Sequence, residues 1–403
     1  MGNRQRIGIL GGTFDPVHCG HIRVGTAALD TGLIDTLLMV PSREKTCSAE
    51  AGDRWKMLVS ACSRDRRLVP FRYEPDHGNV FSVGALRSLK KEYDGAELFL
   101  VVGTDTVMRL REEHRYEDIL SLCTFMVYPC GGAADPDAVS QQISRLAAAG
   151  GRFVRIPMEP VSVSSAEIRS LLASGDTPPG LDVSVLEYCR CKGLYGAGGR
   201  LEHIDDWMDR LFSSLKPRRF AHSLSVASTA VRLAGIHGIN VLQAEQAGLL
   251  HDCAKCMPMD EMRKIAKKHA ITDDKHFLES GALLHAPVGA WVACHRYGME
   301  DRDVLDAIAV HNTGRAGMSR LAMCIALADF MEPLREPFPL LEEVRSLAET
   351  SLERALLLSL EGTADYVLSR GLYLHPQTTD TIQWLKSLPA VRETGSAEGM
   401  TVQ

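Results

Sequence analysis

The run Gly11-Gly12-Thr13-Phe14-Asp15-Pro16-Val17-His18-Cys19-Gly20-His21 combines the residue types that hold a phosphate chain. It follows the apolar stretch Ile7-Gly8-Ile9-Leu10 and precedes a helix expected to begin near Gly20, so open backbone N–H groups and a positive helix end meet at one point. His18 and His21, three apart, fall on one side of a first helical turn and can reach the same anion. Hydrogen bonding to phosphoryl oxygens as charge develops, rather than proton abstraction, is the chemistry such a pair suits. A second constellation lies in the other half of the chain: His222, the adjacent His251-Asp252, His285, His311 and Asp329. Imidazoles and carboxylates without thiolates suit iron, manganese or a similar divalent ion better than a structural zinc site.

These residues need two different scaffolds. Up to about Tyr195, apolar strands at 6–10, 36–40, 98–102, 124–128 and 152–156 alternate with segments of helical spacing at 25–33, 54–62, 83–92 and 137–149. That alternation predicts an α/β, doubly wound parallel sheet with ligands at the carboxyl ends of its strands. Two later stretches return to that edge. Gly103-Thr104-Asp105-Thr106 follows a buried strand, and Val163-Ser164-Ser165-Ala166-Glu167-Ile168-Arg169 reads as a capped helix start with an arginine one turn on, a second anion-binding arrangement. After the glycine-rich 193–200 the strand signal stops, and 203–215, 218–235, 241–250, 260–269, 286–296 and 318–330 all have helical spacing. The expected organisation is a domain at 1–195, a linker at 196–202, an all-α domain at 203–390 and a tail without order at 391–403.

Length and composition set the outer limits. A chain of 403 residues exceeds one ordinary core. A formal net charge of -6 leaves no basic footprint for a nucleic-acid backbone, so nucleotides are expected in pockets and nucleic acid is not expected as a partner. No apolar run has membrane length and the N-terminus lacks a signal-peptide pattern, giving the expectation of a cytoplasmic protein without membrane contact. The eleven cysteines, Cys253-Ala254-Lys255-Cys256 among them, are expected as ordinary reduced thiols. The oligomeric state stays open, a homo-oligomer included.

The opening run resembles the T/HxGH signature of the nucleotidylyltransferase superfamily in the form found in nicotinate-nucleotide adenylyltransferases. Gly103 with Asp105, Ser164-Ser165 through Arg169 (the ISSTxIR element with Ala166 for threonine) and the closing Val185 to Tyr195 extend the likeness over the first half. It implies a Rossmann-like fold, ATP with Mg2+, and attack of an acceptor phosphate on the α-phosphorus with pyrophosphate leaving. His18, His21, Lys45 and Arg169 would stabilise the transition state; Gly11, Gly12, Thr13, Phe14, Gly20, Gly103, Asp105, Ser164 and Ser165 would hold the nucleotide. Departures gather on the acceptor side. PPHK is shortened to Pro41-Ser42-Arg43-Glu44-Lys45, Gly84 stands where an aspartate is expected, Glu113 where a stacking tryptophan is expected, and Tyr128-Pro129-Cys130 replaces R-P-G.

The second half resembles HD-domain phosphohydrolases, and more narrowly the bacterial enzymes that cut diadenosine tetraphosphate symmetrically. The likeness runs through Leu249 to Lys255, Leu284 to Ala290, His311 to Ser319, Ala328-Asp329, Glu332-Pro333 and Leu374-His375-Pro376. It implies that His222, His251, Asp252 and Asp329 hold one metal and that His285 and His311 complete a second, with Asp252 also counted as catalytic. Arg315, among glycines, is the candidate phosphate clamp, with Lys255 as the second candidate. The expectation is therefore a bifunctional enzyme: transfer of adenylyl from ATP to nicotinate mononucleotide, fused to hydrolysis of dinucleoside polyphosphates. The alternative keeps the hydrolase and makes the first domain a weak nucleotide sensor, or an enzyme for another acceptor.

Overall fold

Strand β1 (Arg6–Gly12) lies at the centre of a parallel sheet with β2 (Thr36–Pro41), β3 (Leu68–Pro70), β4 (Glu97–Gly103), β5 (Thr124–Tyr128) and β6 (Arg152–Arg155), in the order β3-β2-β1-β4-β5-β6. This computed structural model describes residues 5–42, 46–72, 82–93, 95–113, 115–131, 135–199 and 201–392, so the candidate Lys45 lies outside the described residues, as does 393–403 of the tail expected at 391–403, whose first two residues close a short helix. Ile7, Ile9, Leu38, Val40, Leu98, Leu100, Val102, Phe125 and Val127 form one buried core with Leu86, Leu89 and Ile119 from the helices. Strands covered on both faces read as continuous apolar runs, which is why they were visible in the sequence. The three-residue β3 is too short to give such a run.

The helices of this half are α1 (Cys19–Asp30), α2 (Ala51–Cys62), α3 (Val83–Glu92), α4 (Thr104–Arg109), α5 (Tyr116–Leu122), α6 (Pro136–Ala148), α7 (Ser165–Ala173) and α8 (Val183–Lys192). Helix α1 stops before Gly32, whose φ of 70° ends it short of the expected 33. Helices α4 and α5 add to those expected from spacing; both are shorter than two turns and leave little periodicity. The chain crosses from β3 to β4 on the other side of β1, so the strand order reverses between β1 and β4. The glycine run and Gly103 both leave the sheet at that reversal, where open α/β sheets bind ligands.

The second half is helical: α9 (Ile204–Ser214), α10 (Pro217–His237), α11 (Val241–Leu250), α12 (Met259–Lys268), α13 (Lys275–Glu279), α14 (Gly281–Tyr297), α15 (Arg302–Val310), α16 (Arg320–Met331), α17 (Pro339–Ala348), α18 (Leu352–Ser369), α19 (Pro376–Ser387) and α20 (Pro389–Arg392). Helix α10 packs on α11 and α16, and α15 packs on α14 and α16. By packing, the chain divides into two compact units, 1–200 and 201–403. Among the described residues no helix is long and apolar enough to cross a membrane.

Candidate active sites

At the end of β1 the chain turns through Phe14, which is buried with φ 47°. A Cβ on Gly12 would press on the Phe14 ring at 3.3 Å, and one on Gly20 would come within 2.9 Å of the His18 ring. The buried Asp15 is structural: its carboxylate accepts from the backbone N–H groups of Ser48 (2.6 Å) and Ala49 (3.0 Å) and from the Tyr195 hydroxyl (2.7 Å). Helix α7 docks on the same turn. Ser165 donates its hydroxyl to Pro16 O (3.0 Å) and Arg169 donates to Asp15 O (2.7 Å), while the Ser164 side chain caps α7. Sequence reasoning missed Arg54, whose guanidinium donates to Thr13 O (2.6 Å) and Ser42 O (2.9 Å) and so fixes the turn from below. Its only signal was an arginine on the apolar face of α2.

His18 caps α1 and His21 occupies its third position, their ring centroids 3.8 Å apart. The backbone N–H of His18 donates to His21 Nδ1 at 3.2 Å, so the proton of neutral His21 sits on Nε2 as a hydrogen-bond donor. Burial lowers His18 to about 4; burial together with His18 lowers His21 to about 3. Both rings are therefore neutral donors at neutral pH. The unfolded chain takes up their protons below pH 6.5 and the folded one does not, so stability falls as pH drops. At pH 5 the cost is about 2 kcal/mol per ring. The urea midpoint of this unit is expected to be lower at pH 5 than at pH 7, and His18→Gln is expected to shrink that difference.

Asp105 stands in the first turn of α4. Gly103 lets the end of β5 approach: a Cβ there would meet Cys130 Sγ at 2.4 Å and the Tyr128 ring at 3.3 Å. Glu113 is exposed and Gly84 lies in α3.

In the second half the structure brings all six metal candidates together. His222 comes from α10, His251 and Asp252 from the end of α11, His285 from α14, His311 from the end of α15 and Asp329 from α16. Asp252 divides its oxygens: Oδ2 lies 3.8 Å from His222 Nε2 and 3.7 Å from His251 Nε2, whereas Oδ1 lies 3.1 Å from His285 Nε2 and 3.9 Å from His311 Nε2. Asp329 Oδ1 joins the first set, 3.1 Å from His222 Nε2 and 4.0 Å from His251 Nε2. Each Nδ1 faces outward to an acceptor: Glu332 Oε1 (3.2 Å) for His222, and the carbonyls of Gly248 (2.8 Å), Gly281 (3.2 Å) and Ile308 (2.8 Å) for His251, His285 and His311. Carbonyls only accept, so those rings carry the proton on Nδ1 and turn the Nε2 lone pair inward, the arrangement of metal-ligating histidines. The buried Nε2 of His251 makes no hydrogen bond among the described residues. The site therefore fits a divalent ion on its own geometry.

Burial would push both carboxyls up; the surrounding imidazoles outweigh it, with Lys255 assisting at Asp252, and hold both well below the usual carboxylate range. Lys255 Nζ lies 3.0 Å from His285 Nε2 and 3.5 Å from Asp252 Oδ1. Arg315 is exposed at its tip and donates to Asp306 (2.6 Å). Sequence reasoning did not assign a role to Glu332. Replacing it by Ala is expected to weaken metal retention roughly 10- to 100-fold, with the helical circular dichroism unchanged, as read by metal content after dialysis against a chelator.

Residues 9–171 match the cytidylyltransferase-like family model, and residues 219–334 match the HD-domain model. The first half is 33% identical over 216 residues, 48% of this chain and 95% of the relative, to a probable nicotinate-nucleotide adenylyltransferase of Pseudomonas syringae pv. tomato. The second is 39% identical over 174 residues, 43% of this chain and 92% of the relative, to the symmetrical bis(5'-nucleosyl)-tetraphosphatase of Bacillus subtilis. The chain belongs to both families, one in each half. A Mycoplasma genitalium protein named probable nicotinate-nucleotide adenylyltransferase/Ap4A hydrolase matches both halves in the same order, 26% identical over 368 residues, 89% of this chain and 97% of that one. For the adenylyltransferase half, the motif's histidines and the α7 start stand together on one turn. For the tetraphosphatase half, the HD family implies a divalent metal, and the six-residue cluster is where the chain can hold it.

Proposed function

We propose that residues 1–195 transfer adenylyl from ATP to nicotinate mononucleotide and that residues 203–390 hydrolyse dinucleoside tetraphosphates to nucleoside diphosphates, joined through 196–202. The observation that carries the reading is the division of Asp252 between two pairs of imidazoles, beside a separate pair of neutral histidines at a glycine turn. In the first unit the acceptor's phosphate oxygen bonds to the ATP α-phosphorus as the bridging bond to the β-phosphate breaks. His18 and His21 donate N–H bonds to the phosphoryl oxygens, Arg169, anchored on Asp15 O, adds its charge, and Lys45 acts with them. Gly11, Gly12, Thr13, Phe14, Gly20, Gly103, Asp105, Ser164 and Ser165 shape the nucleotide pocket, with Mg2+ on the phosphates.

In the second unit His222, His251, Asp252 and Asp329 would hold one divalent ion, and Asp252 with His285 and His311 a second. Iron or manganese suits that donor set. Bound there, such ions supply a water deprotonated near neutral pH and a Lewis acid toward the phosphoryl oxygens. Lys255 faces the second set and holds a phosphate oxygen at that side. Incubation of the metal-loaded protein with diadenosine tetraphosphate tests this half: ADP as sole product supports it, and AMP with ATP overturns the symmetrical cut.

A second reading of the first unit rests on Glu113 and Gly84, which remove the aromatic platform and a carboxylate from the acceptor side. Pyrophosphate release from ATP with nicotinate mononucleotide, nicotinamide mononucleotide and pantetheine phosphate in parallel separates the two. Release with the first alone supports the proposal; release with none favours a nucleotide sensor.

A further inference from the structure

Two arginines to which the sequence assigned no role, Arg219 and Arg335, the latter closing the likeness that begins at Ala326, stand against the carboxylates of the metal cluster. Arg219 lies three residues before His222 on α10, on the same side of the helix, and donates to Asp252 Oδ2 at 3.1 Å. Arg335, in the turn after α16, donates to the backbone oxygen of Asp329 at 2.8 Å and to its Oδ1 at 3.4 Å. Both side chains reach solvent, being 42% and 36% exposed, so each has one end on a ligand carboxylate and, among the described residues, further donors of its five-donor fork without a hydrogen-bond partner. At the surface Arg218 meets Glu336 at 3.3 Å, which ties together the two segments that carry them.

Their placement is one-sided. Asp252 Oδ2 and Asp329 Oδ1 are the oxygens that face His222 Nε2, whereas Lys255 stands at His285 on the other side of Asp252. Asp252, Asp329 and Glu332 are matched by Arg219, Arg335 and Lys255, so any divalent ion held by the imidazoles leaves the mouth positive. A positive mouth with cations on both flanks suits a chain of phosphates running across the cluster better than a single terminal phosphate.

We infer that Arg219 and Arg335 form a phosphate grip on the His222 side of the cluster that holds the leaving nucleoside diphosphate and sets the preference for long polyphosphates. The inference rests on the hydrolase reading. The water oxygen bonds to phosphorus, the bridging P–O bond breaks, its electron pair goes to the leaving nucleoside diphosphate, and the proton of the water passes to solvent. Negative charge thus grows on the group that the two guanidinium forks face.

The experiment uses the full-length, metal-loaded protein with Arg219→Gln, Arg335→Gln and the surface control Arg232→Gln, whose native side chain pairs with Glu349 away from the cluster. Three quantities are read: the dissociation constant for ADP by calorimetry, KM and kcat for diadenosine tetraphosphate and for bis(p-nitrophenyl) phosphate, and metal content. Each of the first two substitutions is expected to weaken ADP and raise KM for the tetraphosphate roughly 10- to 100-fold. Metal content and the rate on the small diester should stay within threefold, and Arg232→Gln should change nothing. Unchanged ADP affinity, or an equal loss on both substrates accompanied by loss of metal, overturns the inference. A native protein that cuts the diester and leaves the tetraphosphate intact overturns the hydrolase reading, and the ADP measurements then still decide for or against the grip.

Discussion

Asp252→Asn is expected to lower diadenosine tetraphosphate hydrolysis by on the order of 10³-fold or more and to leave adenylyl transfer at its native rate. The effect is large because one carboxylate serves both sets of imidazoles, and whichever way the amide turns, its NH2 faces a pair of Nε2 lone pairs. Arg219 and Lys255 would also lose their common anion. Metal content should fall together with ADP production. Full hydrolysis by this variant would remove Asp252 from the centre of the site.

His21→Ala should do the reverse, cutting adenylyl transfer by about 10² to 10³-fold with hydrolysis unchanged. The substitution removes the Nε2–H donor and also the Nδ1 acceptor of the His18 N–H, so the first turn of α1 loses its internal tie as well. His21→Asn, which can replace the donor, should recover part of the rate. Pyrophosphate release and ADP production measured on the same preparation separate the two sites. A parallel loss of both activities in either variant would mean that they are not independent.

Much of this was legible in the residues because both sites sit where backbone geometry is dictated locally. Gly11 to His21 had to be a turn into a helix, and His222 and Asp329 fall within helices of readable spacing, whereas His251, Asp252 and His285 flank expected helices and His311 follows α15, which the spacing did not mark. The structure adds the ways in which distant segments converge. That Asp15 is a buried staple could not be read from the motif, since its partners are 33, 34 and 180 residues away. Arg219 could have been found from its position three before His222, and Arg335 closes the likeness that begins at Ala326, though its turn has no periodicity to mark a role. The four outward Nδ1 contacts are mostly to backbone carbonyls, and a sequence carries no mark for those.

The staple at Asp15 also bears on synthesis of the chain. The Gly11 to His21 turn is translated long before the Tyr195 hydroxyl that braces it through Asp15, which is made only as the joining segment begins. A nascent chain stopped short of that residue carries every histidine and glycine of the motif without the hydroxyl that braces it. Nucleotide capture by ribosome-held chains of increasing length would therefore switch on late, close to the moment when the helical half starts to emerge.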